Sequence, residues 1–64
     1  MTHSDVLYNF KRIFPNLWER IEIWYPNGRN SVRVRITGWT ECTFTYFSPT
    51  DWKFETLHSF VKTM

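Results

Sequence analysis

Apolar side chains near the start of the chain recur at the spacing of a helix: Val6, Leu7, Phe10, Ile13 and Phe14 share one stripe. Ser4 and Asp5 supply an N-cap and a first-turn acid, while Lys11 and Arg12 put positive charge where it complements the helix dipole. Pro15 disfavours helical geometry at Phe14, so the helix is predicted to stop there. The pattern then switches to alternation. Over 19–25, Ile21, Ile23 and Tyr25 alternate with Arg20, Glu22 and Trp24. Over 31–37, Val32, Val34 and Ile36 alternate with Arg33 and Arg35, and further on Cys42, Phe44 and Tyr46 alternate with Thr43, Thr45 and Phe47. Two-residue alternation of this kind predicts strands with one apolar and one mixed face. Asn27-Gly28 and Gly38-Trp39 mark the reversals, giving a three-stranded antiparallel meander.

The registers are constrained by the faces, because a one-residue slip moves a strand's apolar set to the wrong side. A two-residue turn at Asn27-Gly28 sets Ile21 opposite Val34 and Ile23 opposite Val32. It also sets Glu22 opposite Arg33 and Arg20 opposite Arg35. A three-residue loop at Gly38, Trp39 and Thr40 sets Phe44 opposite Val34. After the turn cluster Ser48-Pro49-Thr50-Asp51, Trp52 and Phe54 are candidates for a short fourth strand. Thr56 then caps a predicted second helix with Leu57, Phe60, Val61 and Met64 on its stripe. The expected fold is α+β, in the order α-β-β-β-(β)-α, a single domain over 1–64 with both helices on one face of the sheet.

Composition says how so short a chain is held together. Sixty-four residues bury only about 60% of the unfolded surface, and such scaffolds usually need staples. The lone Cys42 excludes an intrachain disulfide, and two histidines, His3 and His58, form no metal-ligating cluster with it. Aromatic residues make up 20% of the chain and are what remains to do the work, each burying roughly 150–250 Å². The single thiol, the lack of a leader-like N-terminal pattern and the lack of a long apolar run predict a cytoplasmic protein.

Catalytic patterns are missing from the sequence. The two glycines, Gly28 and Gly38, both fall at turns and cannot build a phosphate loop. Cys42 occupies an inward position, where cysteine behaves as a small apolar residue. Glu19, Glu22 and Glu41 offer carboxylates, but Glu22 is expected to pair across the hairpin with Arg33. The expectation is a non-enzymatic protein without a cofactor or metal.

Binding residues are easier to nominate. Net charge is only +2, yet no acidic residue falls between Ile23 and Thr40, where Arg29, Arg33 and Arg35 lie. The outward face of the meander is expected to carry Arg20, Arg33 and Arg35, with Trp24 and Phe47 at its margins. Trp39 sits at a turn tip, and exposed Trp and Arg are enriched at protein-binding hot spots. The candidate surface is therefore Trp24, Arg33, Arg35 and Trp39, with Arg20 and Arg29 as rim charges. The same mixture of arginines and rings on a sheet also suits single-stranded nucleic acid, whose bases stack and whose phosphates are held by cations. A weak homodimer through the sheet edge or the aromatic face is a further expectation.

The run Pro26-Asn27-Gly28-Arg29-Asn30-Ser31-Val32-Arg33-Val34-Arg35, with Phe44-Thr45-Tyr46 and Asp51-Trp52-Lys53-Phe54-Glu55-Thr56-Leu57, resembles small uncharacterised proteins encoded by phages and prophages of Gram-positive bacteria. The resemblance spans most of the chain. It implies an inhibitor or adaptor that binds one host or phage protein, a CRISPR defence nuclease being one such host factor. DNA mimicry by an acidic surface is not implied, because this chain is basic.

Overall fold

The computed structural model describes residues 1–56 and, for the backbone alone, Phe60–Val61. Along the chain these form α1 (His3–Ile13), α2 (Pro15–Trp18), β1 (Ile21–Pro26), β2 (Ser31–Ile36), β3 (Glu41–Ser48), β4 (Asp51–Thr56) and β5 (Phe60–Val61). The strands make one antiparallel sheet in the order β1-β2-β3-β4-β5, so every strand pairs with its neighbours in sequence. α1 lies over β2 and β3 on one face. The fold is α+β, as the alternating and helical periods require.

α1 begins earlier than its apolar stripe suggests. Thr2, not Ser4, is the N-cap: its hydroxyl accepts from the Asp5 N–H at 3.2 Å, and the Asp5 carboxylate accepts from the Thr2 N–H at 3.0 Å. This reciprocal capping box satisfies two backbone donors at once, which a cap at Ser4 without a matching acid three residues on cannot do. Asp5 keeps its expected place in the first turn. Pro15 ends α1 but also opens α2 at its first position, where a missing N–H costs nothing.

The core is a sandwich of α1 on the sheet. Val6, Leu7 and Phe10 meet Val32, Val34, Ile36, Cys42, Phe44, Tyr46, Trp52 and Phe54, all buried. Phe10 stands edge-on to Phe44 at 5.2 Å, and Phe14 packs at 5.0 Å from Phe54 and 5.2 Å from Trp52. Trp52 and Phe54 belong to a true fourth strand, paired with Tyr46 and Phe44 respectively. Interlocked rings of this kind supply area and specific geometry together, which is how so short a chain holds itself.

Two expectations need correcting. The C-terminal helix is not seen: Phe60–Val61 is a strand paired with Glu55 and Phe54 of β4, and the rest of the segment expected to be helical lies outside the described residues. Short apolar runs fit either period, and β4 would otherwise leave its outer backbone groups unpaired. The β2–β3 register also differs: Val34 faces Cys42 and Phe44 faces Val32. The loop spans residues 37–40, with a turn closed by the Trp39 N–H on the Ile36 carbonyl at 2.9 Å and Gly38 at a φ of 80°. The difference of two residues keeps every side chain on its expected face.

Candidate binding surface

At the first hairpin the displacement is odd, and it changes the surface. β1 pairs with β2 as Ile23 to Arg35, Trp24 to Val34, Tyr25 to Arg33 and Pro26 to Val32. The expected two-residue turn would make Pro26 part of a hydrogen-bonded closing pair, and proline has no N–H to give. The chain instead closes at Asn27 and Ser31, where the Asn27 N–H donates to the Ser31 carbonyl at 3.1 Å. The Ser31 hydroxyl donates to the Asn27 carbonyl, and Gly28 takes a φ of 85° within the loop. A bulge between Ile21 and Ile23 then returns Ile21 to the core side, opposite Ile36.

The consequence is an exchange of faces. Ile23 and Tyr25, expected inside, lie on the face opposite α1 and are 50% and 37% exposed. Trp24, expected outside, shares the side of Val34, the helix side, yet remains 42% exposed because α1 sits over β2 and β3 and not over this edge. Neither expected cross-strand pair forms: Tyr25, not Glu22, stands opposite Arg33, and Arg20 lies before β1.

The open face therefore reads, row by row, Tyr25–Arg33–Thr43–Glu55 and Ile23–Arg35–Glu41, with Thr45 beside Lys53. Glu41, named from the sequence only as a candidate carboxylate, is the residue that ties this face together. Its Oε1 accepts from the Tyr25 hydroxyl at 3.0 Å and lies 3.9 Å from the Arg35 guanidinium. Lys53 and Glu55 pair at 3.1 Å on the same face. Arg33, Glu41, Thr43, Glu55 and Thr56 border a shallow depression at its centre. The ion pairs are exposed and each is worth at most about 1 kcal/mol, so they organise the face more than they stabilise it.

The other nominated residues scatter. Arg20 donates to the Thr37 carbonyl at 2.6 Å, which ties it to the β2–β3 turn as a structural group. Trp39, 46% exposed, stands in that same turn. Arg29 is exposed at the β1–β2 loop, at the opposite end of β2. Of the six, only Arg33 and Arg35 share the open face. A signal for the true arrangement was available in Pro26, whose missing N–H rules out the tight turn.

Cys42 is buried with its thiol donating to the Thr40 carbonyl at 3.2 Å, and burial, followed by the nearby Glu41 charge, pushes the thiol pKa up. A thiol held in its neutral form is a poor nucleophile. Among the described residues no group of three His, Cys, Asp or Glu side chains is placed to hold a metal ion, and no helix is long and apolar enough to cross a membrane. Comparison with protein-family models, curated proteins and solved structures finds no match.

Proposed function

We propose that this is a small non-enzymatic accessory protein of phage type that acts in the host cytoplasm by binding a host or phage protein through the open face of its sheet. The observation that carries the proposal is the composition of that face: half-exposed Ile23 and Tyr25 lie beside Arg33 and Arg35, with no described element over them. A large ring and guanidinium groups on a rigid sheet are the residue types from which protein-binding hot spots are made. Glu41 holds Tyr25 and Arg35 in place, so less side-chain freedom is lost on docking. The resemblance to phage and prophage proteins supports a single host target, a CRISPR defence nuclease among the candidates.

The charge pattern favours a protein over a nucleic acid. Arg35 has Glu41 nearby and Lys53 has Glu55, so two of the three cations on the face are matched within it. Phosphate binding draws on uncompensated cations that release counterions. Trp24, the ring nominated for stacking, is on the other side of the sheet.

The test is cross-linked capture from host lysate with three proteins: wild type, Tyr25→Ala/Arg33→Ala on the open face, and Tyr8→Ala/Lys11→Ala on the exposed side of α1. The expected result is one protein retained by wild type and the α1 variant and reduced at least about tenfold by the open-face variant, the cost of losing a single hot spot. Capture that is indifferent to the open-face substitutions contradicts the proposal.

A further inference from the structure

The free edge of β1 offers a second surface, which shares Ile23 and Tyr25 with the open face and rests on the same strand register. Hydrogen-bonded and non-bonded pairs alternate along an antiparallel ladder, and Asn27–Ser31 is a bonded pair. Tyr25 and Ile23 therefore turn their backbone groups toward β2, while Trp24 and Pro26 turn theirs to the edge. β1 ends the sheet, so the Trp24 N–H and C=O point away from every strand in it. The three successive side chains Ile23, Trp24 and Tyr25 are large, apolar and between 37% and 50% exposed.

We propose that β1 pairs with β1 of a second copy of this chain, antiparallel across a twofold axis at Trp24, to give one continuous sheet. In that register Trp24 exchanges two N–H···O=C bonds with its counterpart, and Ile23 of each copy lies opposite Tyr25 of the other. The four outer side chains close into an apolar strip on one face, and the two Trp24 rings meet on the helix side. No alternative register is as good. The bulge at Glu22 bounds the usable edge on one side and Pro26, with no N–H, bounds it on the other. Charge agrees with the twofold: Glu19 precedes β1 and Glu22 lies in it, the intervening Arg20 being turned to the Thr37 carbonyl, while Arg29 follows at the loop, so the net acidic start of each copy runs beside the basic tip of the other. A heterologous extended peptide would meet apolar side chains on both faces of β1, and nothing among the described residues selects such a segment. The strand itself supplies a self-complementary one.

The test is sedimentation of the purified protein over a concentration series reaching about 0.1 mM, a range that detects micromolar association. The expected result is a concentration-dependent shift toward twice the 7.9 kDa monomer mass. Ile23→Lys puts a charge into the strip of each copy and weakens the dimer by about a hundredfold, roughly tenfold per copy. A protein made by chemical synthesis with the Trp24 amide N-methylated loses the reciprocal bonds while its fold, checked by circular dichroism, is kept. Arg33→Ala leaves the dimer intact, which separates this surface from the open face. A wild type that stays monomeric throughout overturns the proposal, and so does a dimer that survives N-methylation.

Discussion

Phe10 and Phe14 carry a disproportionate share of the stability. Phe10 is fully buried and touches the rings of Phe14, Phe44 and Phe54, so truncation opens a hole on several sides. Phe10→Ala should cost roughly 3–5 kcal/mol. A chain of 64 residues has in all roughly 3–10 kcal/mol, so this variant is expected to lose about a third of it or more, read as a much lower urea midpoint by circular dichroism. At the helix start, Thr2→Ala should cost about 1 kcal/mol in a urea titration. The same box sets a pH dependence. Hydrogen bonds from Thr2 hold the Asp5 carboxyl below its ordinary value of 3.8. A depressed carboxylate contributes its stability above the unfolded value and loses it as the pH falls through the folded one. The melting temperature of the wild type should therefore drop below pH 3.8, and an Asp5→Asn variant should lack that component of the drop.

Turns decide the elements. Gly38 adopts a φ of 80°, and an added Cβ would stand 3.3 Å from the Arg20 guanidinium that holds the Thr37 carbonyl. Gly38→Ala should cost about 1–2 kcal/mol from the left-handed backbone alone, read as a lower urea midpoint. Pro26 gives the sharper test. In the observed register its nitrogen faces the sheet edge and no ladder bond is missing. Pro26→Ala should therefore leave the midpoint equal or slightly lower, while the restored edge donor raises light scattering at high concentration. In a two-residue turn the same substitution would supply a lost bond and stabilise. These turns also mark where the sequence was legible. Period and face were plain for α1, β2 and β3, because Val6, Leu7 and Phe10, or Val32, Val34 and Ile36, fit one pattern only. β1 was misread because Asn27-Gly28 is a strong local signal and the loop it belongs to closes at Ser31 instead. The apolar set Ile21, Ile23 and Tyr25 also looked like a core face. The bulge splits that set, and alternation alone does not show a bulge. The candidate site inherited the error: Arg33 and Arg35 were found, Trp24 was placed on the wrong side, and Glu41 was read only as a carboxylate and not as part of the face, because its partners come from two other strands.

At the scale of the whole molecule, one helix layer covers one face of the sheet, and no described element covers the other face or the β1 edge. α1 lies over β2 and β3, which is why Trp24 stays exposed even on the helix side. The open face and the free edge meet along β1, and both follow from one fact, that Ile23 and Tyr25 point away from the core. The register of β1 on β2 is therefore the claim on which the binding surface and the dimer both stand. It can be read directly by nuclear magnetic resonance, since the α-protons of non-hydrogen-bonded antiparallel pairs lie close enough for strong cross-relaxation. The structure predicts such α-proton contacts between Trp24 and Val34 and between Pro26 and Val32. Contacts that instead put Ile21 beside Val34 and Ile23 beside Val32 would return Ile23 and Tyr25 to the core, and would contradict the account.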